Sequence, residues 1–286
     1  MNTMILADSA CDLTEEHYNA YHIDMVPLTV QLDDQTFKDS LEIKPKSVYD
    51  AMREGKHPKT SQVSPQTFKT IFTSYAEKKQ PLVYLAFSSE LSGTYQAAKI
   101  AEQDVKESWP DAELRVIDTK CASIGYGLVI LRAAKLAKDG AAIGDIIETA
   151  RYHANHMEHI FTVDDLDYLY RGGRVSKTAA SIGSFLKIKP ILHVDDGRLV
   201  PLEKIRGSKK VLNRMLDLLE ERGADISRQT VGISHGDDAE TAEMMRSRIQ
   251  ERFNPADTIV EMVGSTIGAH SGPGTLALFF LNSSYK

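Results

Sequence analysis

The sequence has little cysteine, one tryptophan and no long apolar run. Its 286 residues include two cysteines, Cys11 and Cys121, with no second thiol or histidine near either at metal-ligand spacing. We therefore expect both thiols to be reduced and packed, without a metal. No apolar run approaches the roughly 20 residues that span a bilayer. Residues Met1 to Ala7 do not resemble a signal peptide, so we expect a soluble, cytoplasmic protein.

Charge is unevenly distributed along the chain. The formal net charge is -6, which excludes a uniformly basic nucleic-acid binder. Between Arg171 and Arg214, however, eleven Lys and Arg face three acids, so this stretch carries +8 and the remainder carries -14. Such a stretch suits a bilayer, an acidic partner or nucleic acid, or is a solvated face. Nucleic acid is the weakest of these interpretations, because no aromatic interleaving or recognition motif accompanies the cations.

Strand-like and helix-like segments alternate along the chain, which predicts an α/β protein with a mostly parallel sheet. In the first half, Met4 to Ala7, Met25 to Leu32, Leu82 to Phe87 and Leu114 to Asp118 are predicted strands. The pattern of strand-like and helix-like segments changes near His159. In the second half, Asp196-Gly197 predicts a hairpin. We expect two domains, residues 1–155 and a mixed α/β domain of residues 156–286, with the last strand packing back on the first.

Two predicted loops combine hydroxyl side chains with a following helix. Lys59-Thr60-Ser61-Gln62 precedes the helix start at Ser64-Pro65, and its hydroxyls either bind an anion or only shape the turn. Ser88 to Thr94 follows a buried strand, at the place where ligands bind in α/β sheets. Ser92 lies near the next helix start and either favours an anion or is a simple cap. Since the loop lacks the Gly-Lys-[Ser/Thr] ending of a P-loop, no ATP site is indicated.

A third predicted loop is glycine-rich and runs from Gly264 to Gly274. Its four glycines allow close backbone approach to a ligand. His270 in this loop either contacts an anion, acts as a base or is a satisfied structural residue. A hydrolase or acyltransferase using Ser92 or Ser271 with His270 is therefore an alternative to a binding function, although sequence proximity alone makes no triad.

Seven segments follow one another in a specific order along the chain. They are Asp8-Ser9-Ala10-Cys11-Asp12-Leu13, Val26-Pro27-Leu28, Lys59-Thr60-Ser61-Gln62, Phe87-Ser88-Ser89-Glu90-Leu91-Ser92-Gly93-Thr94-Tyr95, Gly172-Gly173-Arg174-Val175-Ser176-Lys177, Lys187-Ile188-Lys189-Pro190 and Ala269-His270-Ser271-Gly272-Pro273-Gly274. Each segment is weak alone, but together they cover the chain and are specific. In this order they resemble the DegV family, the fatty-acid-binding proteins that serve as the B subunit of bacterial fatty acid kinase.

The resemblance implies a two-domain α/β fold that holds one long-chain fatty acid between its domains. It implies no further cofactor and no catalytic residue. The acyl chain would lie in an apolar tunnel. The carboxylate would meet Thr60, Ser92 and His270, beside Ser61 and Gly93.

The resemblance also implies a partner. An ATP-binding kinase subunit would phosphorylate the bound carboxylate to an acyl-phosphate for phospholipid synthesis. Arg206 matches the surface arginines implicated in that contact, and we add Arg171, Arg174 and Lys204 as a partner or transient membrane surface. We expect no nucleic-acid partner.

Overall fold

The structure, a computed structural model, describes residues 2–176 and 188–284. Strands and helices alternate in the first half of the chain, as predicted. These elements are β1 (Met4–Asp8), α1 (Glu15–Tyr21), β2 (Ile23–Val26), β3 (Thr29–Leu32), β4 (Gln35–Lys38), α2 (Pro45–Arg53), β5 (Lys59–Ser61), α3 (Pro65–Glu77), β6 (Leu82–Ala86), α4 (Thr94–Ser108), β7 (Leu114–Asp118), α5 (Ser123–Lys138) and α6 (Ile143–His156).

Lys177 and Lys187, which belong to the basic stretch and to two of the family segments, lie outside the described residues.

The second half has more strands per helix. The described elements are β8 (Met157–Thr162), α7 (Leu166–Arg171), β9 (Ile188–Asp195), β10 (Arg198–Arg206), α8 (Ser208–Arg222), β11 (Thr230–His235), α9 (Ala239–Phe253), β12 (Asp257–Met262), α10 (Ser265–Ser271) and β13 (Leu276–Leu281).

A four-stranded parallel sheet forms the core of the first half, in the order β2-β1-β6-β7. Every residue of the central strand β6 is buried, because helices cover both faces of a parallel sheet. This explains why Leu82 to Ala86 is a continuous apolar run. The predicted parallel α/β architecture is confirmed.

A six-stranded mixed sheet forms the second half, in the order β10-β9-β8-β13-β11-β12. Strands β11 and β12 are parallel, whereas the other neighbouring pairs are antiparallel. The hairpin β9–β10 turns at Asp196 and Gly197, both of which have positive φ. Such a turn matches the right-handed strand twist and confirms the predicted hairpin.

Two predictions about the first half are wrong. Met25 to Leu32 is not one strand: β2 ends at Val26, and Pro27, which has no N–H to donate, separates it from β3. Strand β3 instead joins a three-stranded antiparallel sheet, in the order β4-β3-β5. The supposed loop Lys59 to Gln62 contributes strand β5 to this sheet, where Thr60 lies opposite Val30.

The glycine-rich segment is also not simply a loop, because Ser265 to Ser271 forms helix α10. Within this segment only Gly272 and Gly274 have positive φ. Gly268 serves close packing instead: a Cβ there would lie 2.5 Å from the Tyr49 hydroxyl. The glycine signal therefore reflects close contact between α10 and α2 as well as turns.

Helix α5 packs against both large sheets, since it contacts β1 of the parallel sheet and β8, β11 and β13 of the mixed sheet. The last strand, β13, thus lies against a helix of the first half. The division into two domains at residue 155 stays a prediction. Within residues 2–176 and 188–284, no helix combines the length and apolar character needed to cross a membrane.

Candidate functional site

A central cavity of about 360 Å³ lies between the parallel sheet and the six-stranded sheet. Its volume is within the range of about 300–1,000 Å³ that small-molecule pockets occupy. Residues that follow parallel strands line one side, where ligands of α/β sheets bind. The apolar lining residues are Leu28, Phe87, Leu91, Ala122, Phe161, Leu169, Val194, Leu199, Val263, Ile267, Ala277 and Phe279.

Polar side chains from separate parts of the chain meet in the lining of this cavity. Thr60 Oγ1, on β5, lies 2.7 Å from His270 Nε2, near the end of α10. Ser61 and Gln62 line the cavity beside them. The structure therefore brings together the predicted residues of the first and third segments, which are 210 positions apart.

The second segment supplies Ser92 and Gly93 to the same cavity. Ser92 Oγ accepts a hydrogen bond from the Thr94 backbone N–H at 3.2 Å and lies 2.8 Å from Thr94 Oγ1. Gly93 lies under Gln62, whose amide would collide with any Cβ at this position. All five residues predicted for the carboxylate site thus line one cavity, although their role in binding stays a prediction.

Arg174 lies elsewhere than we expected. Predicted as part of an exposed partner surface, it is half-buried and lines the central cavity, and its Nε donates to the Leu91 carbonyl at 3.1 Å. Arg171 is exposed and lies against His57 instead. Lys204 and Arg206 are exposed on the sheet-edge strand β10. The position of Arg174 depends on how the chain turns back after α7, which no local pattern reveals.

The charge state of His270 follows from its surroundings. Burial, and secondly the positive charge of Arg174, lower the pKa of His270 to about 4. The ring is therefore neutral at physiological pH. Its Nδ1 lies against Gly172, where a Cβ would be 2.2 Å away. A neutral imidazole beside a threonine hydroxyl can donate through Nε2 while the hydroxyl donates onward to an anion.

A buried carboxylate fixes the start of α10, and sequence reasoning missed it. Asp39 Oδ2 accepts hydrogen bonds from Ser9 Oγ at 2.9 Å and from Thr266 Oγ1 at 2.6 Å. The Tyr49 hydroxyl also donates to the Val263 carbonyl, just before the helix. These contacts tie α10 to the first half of the chain and so position His270. The one sequence signal for this arrangement is the family segment Asp8 to Leu13, which contains Ser9.

A second buried histidine lines the apolar part of the cavity. His159 Nε2 accepts from the Ala122 backbone N–H at 3.1 Å, and its Nδ1 donates to the Met157 carbonyl at 3.0 Å. Burial lowers the pKa of His159 to about 4, so the ring is neutral. It packs edge-on against Phe279. His159 therefore forms part of the cavity wall, with both ring nitrogens hydrogen-bonded. This role was not evident from the sequence.

The described structure pairs neither serine of the hydrolase alternative, Ser92 or Ser271, with His270. His270 Nε2 contacts Thr60 rather than Ser92, and the buried Ser271 Oγ has no hydrogen-bond partner in the described structure. Residues 232–236 do read Gly-Ile-Ser-His-Gly, the spacing of a nucleophile elbow, which sequence reasoning overlooked. Ser234, however, is fully buried in the regular strand β11 and lies 2.9 Å from Ser123 Oγ. It is thus not exposed on a turn.

The described part of the basic stretch divides into paired and unpaired cations. Lys189, Arg198 and Arg214 form ion pairs with Asp164, Glu90 and Glu203. Four exposed cations near the end of β10 and the start of α8 form no ion pair within the described residues. They are Lys204, Arg206, Lys209 and Lys210. Within residues 2–176 and 188–284, no group of three or more His, Cys, Asp or Glu could hold a metal ion.

Comparisons with known proteins agree with this architecture. The model of the DegV family, described as uncharacterised protein, matches residues 2–283. A DegV domain-containing protein of Clostridium perfringens is 40% identical over 98% of both chains. The structure of a DegV protein from Thermus thermophilus, described by its fatty acid binding, has a TM-score of 0.89 at 28% identity and covers 98% of this chain and 99% of its own.

A stearic-acid-binding protein from Eubacterium ventriosum is also similar, with a TM-score of 0.88 at 27% identity over 98% of this chain and 99% of its own. Since the family match and the 40% identical relative both extend over nearly the whole chain, the chain belongs to the DegV family.

Proposed function

We propose that this protein binds one long-chain fatty acid, with the carboxylate at Thr60, Ser92 and His270 and the acyl chain in the central cavity. The observation that supports this most is the Thr60–His270 contact in the lining of a cavity to which twelve apolar residues also contribute. Family members that bind fatty acids share the fold over nearly the full chain.

The physical chemistry of a fatty acid matches such a site. Burying the tail gains about 0.8 kcal/mol per methylene, so a sixteen-carbon chain gains about 12 kcal/mol before any costs. A bilayer offers nearly the same gain, which allows exchange with membranes. A buried carboxylate must be paired or hydrogen-bonded. The hydroxyls of Thr60 and Ser92 can donate to it, and Arg174, whose charge acts on His270, supplies a positive charge in the same cavity.

The same proposal assigns the chemistry to a partner. An ATP-binding fatty acid kinase subunit would phosphorylate the presented carboxylate, and the acyl-phosphate would enter phospholipid synthesis in the cytoplasm. The exposed cations Lys204 and Arg206, which form no ion pair within the described residues, support such docking, or transient contact with an anionic membrane. Arg171 is also exposed, but it pairs with Asp167. This protein would then be the non-catalytic, substrate-presenting subunit.

The test of fatty-acid binding is the joint change Thr60→Ala and Ser92→Ala. We expect the purified double variant to retain less than about a tenth of the wild-type fatty acid, because two charge-assisted hydrogen bonds are lost. Organic extraction and mass spectrometry measure the retained lipid. The matched control is Thr70→Ala with Ser74→Ala on α3, whose hydroxyls donate to carbonyls of their own helix. Equal lipid in both double variants would refute the headgroup assignment.

A further inference from the structure

Gln62 is an exposed residue that lines the central cavity and contacts the loop that carries Ser92. Its side-chain amide occupies the space beside Gly93 where a side chain would begin. A Cβ at Gly93 would overlap Gln62 Oε1 and would lie 2.9 Å from Cδ and 3.3 Å from Nε2. Because glycine has no Cβ, it leaves room for this close contact. The amide therefore fits the end of β5 to the residue that precedes α4.

This contact places the amide of Gln62 next to the proposed carboxylate residues. Gln62 comes two residues after Thr60, whose Oγ1 lies 2.7 Å from His270 Nε2. Gly93, against which the amide lies, directly follows Ser92. Gln62 is thus close to Thr60 along the chain and close to the Ser92 loop in space.

The amide of Gln62 is available to a ligand. Within residues 2–176 and 188–284 it forms no hydrogen bond, whereas the hydroxyls of Thr60 and Ser92 lie against His270 and Thr94. A glutamine amide carries two N–H donors and one acceptor oxygen. Since Oε1 is nearer to Gly93 than Nε2 is, the N–H groups are the part of the amide left for a ligand.

The electrostatics of the described cavity lining favour an anion. These residues include no Asp or Glu, and their one cation is Arg174. The two histidines among them, His159 and His270, are neutral at physiological pH, because burial lowers the pKa of each to about 4. A further N–H donor in this lining therefore meets no competing carboxylate from the same residues.

We propose that Gln62 is a further head-group residue, whose side-chain amide donates to the ligand oxyanion and makes the site prefer an anionic head over a neutral one. This inference rests on the proposed fatty-acid function and names the residue that selects the head group. A hydrogen bond to a charged acceptor is about twice as strong as one to a neutral acceptor, so the amide gains more from a carboxylate than from an alcohol.

The test compares palmitate with 1-hexadecanol, which has the same chain length and a neutral head. Gln62→Glu keeps the shape of the side chain but replaces the N–H donors with an oxygen and a negative charge at pH 7.5. We expect palmitate affinity to fall at least about tenfold, while hexadecanol affinity changes less than about twofold. Both ligands are supplied from cyclodextrin, and titration calorimetry of delipidated protein gives the two affinities.

The matched control is Gln66→Glu, which makes the same change at an exposed residue of α3 outside the cavity lining. It should leave both affinities as in wild type. Gln62→Leu removes the donors without adding charge and should weaken palmitate binding about fivefold, with hexadecanol affinity unchanged or higher. Because Gln62 is exposed, we expect all variants to fold, and equal urea midpoints check this.

Two results would overturn the role of Gln62. One is an unchanged palmitate affinity in Gln62→Glu. The other is a loss of the same factor for palmitate and hexadecanol, which would make the residue a structural part of the cavity rather than a selector of the head group. Wild-type protein that binds neither ligand would instead refute the fatty-acid proposal itself, and this inference with it.

Discussion

At the scale of single residues, the pairing of Thr60 with His270 depends on a histidine that stays neutral. An imidazolium there would be a second cation beside Arg174, in a buried site. Burial and Arg174 both disfavour that state, so the ring remains a hydrogen-bonding group rather than an ion. Among the described residues that line the cavity, the positive charge available to an anionic ligand is therefore that of Arg174.

Arg174 and Arg171 provide a matched comparison, since both were predicted to lie on the partner or membrane surface. Arg174→Gln should weaken fatty-acid binding by about tenfold, because a half-buried charge near the carboxylate is lost. Arg171→Gln, which changes an exposed arginine outside the cavity, should leave the affinity unchanged. Isothermal titration of delipidated protein with palmitate measures both. Equal affinities would place the carboxylate away from Arg174.

His159 predicts a specific pH dependence of stability. Its pKa is about 6.5 when unfolded and about 4 when folded, so the unfolded state binds the proton more tightly. Its contribution to stability is present above pH 6.5 and is lost as the pH falls toward 4. Lowering the pH from 7 to 5 should therefore cost wild type about 2 kcal/mol more than His159→Gln.

The measurement is urea unfolding of both proteins at the two pH values. The difference between proteins is the readout, because Asp8, whose pKa burial raises to about 6, titrates in the opposite direction in each. If wild type and variant lose the same free energy of unfolding, the histidine is not held neutral by burial.

At the scale of elements, the strongest local patterns were predicted well. Strand β7, Leu114–Asp118, has the boundaries that were predicted from its apolar residues. Lys59–Ser61 could not be predicted as a strand, because its pairing partner β3 decides its conformation. Helix α10 was missed because Gly268, the glycine within it, is needed for contact with Tyr49 of α2 rather than for flexibility.

A substitution at Gly172 tests whether the close contact between the end of α7 and His270 of α10 holds the histidine in place. Gly172→Ala would place a Cβ 2.2 Å from His270 Nδ1, so the ring must move away from Thr60. The backbone φ of -71° at Gly172 accepts alanine, which directs the effect to the site. We expect retained fatty acid to fall at least about threefold while the protein stays folded.

The matched control is Gly144→Ala in α6, where a Cβ meets nothing within 4 Å. Alanine there should be neutral or stabilise the helix by up to about 1 kcal/mol, with lipid content unchanged. Circular dichroism and extracted lipid are measured for both variants. Full retention in Gly172→Ala would show that the position of His270 is not critical.

At the scale of the whole molecule, the site is assembled from distant parts of the chain. Ordered family segments were enough to name Thr60, Ser92 and His270. The cavity walls on β8 and β13, such as Phe161 and Phe279, could not be named, because only the packing of two sheets brings them together. Arg174 also lines this cavity rather than lying fully at the expected surface, because of how the chain turns back after α7.

The partner surface makes a separate prediction. Arg206→Ala should lower acyl-phosphate formation with the kinase subunit about fivefold, because an exposed cation mainly affects encounter with an acidic partner. Lipid content should not change. Arg246→Ala, which removes an exposed arginine paired with Glu243, serves as the control in the same coupled assay. Unchanged turnover with Arg206→Ala would remove this residue from the partner surface.

The most direct measurement of the central claim is the number of fatty acids that one chain holds. Delipidated wild-type protein is mixed with palmitate and stearate, and native mass spectrometry counts the bound molecules. We predict saturation at about one per chain, with a matching rise in thermal stability, because the ligand binds only the folded state. Failure to bind either acid, together with no lipid extracted from the protein as purified, would contradict the account.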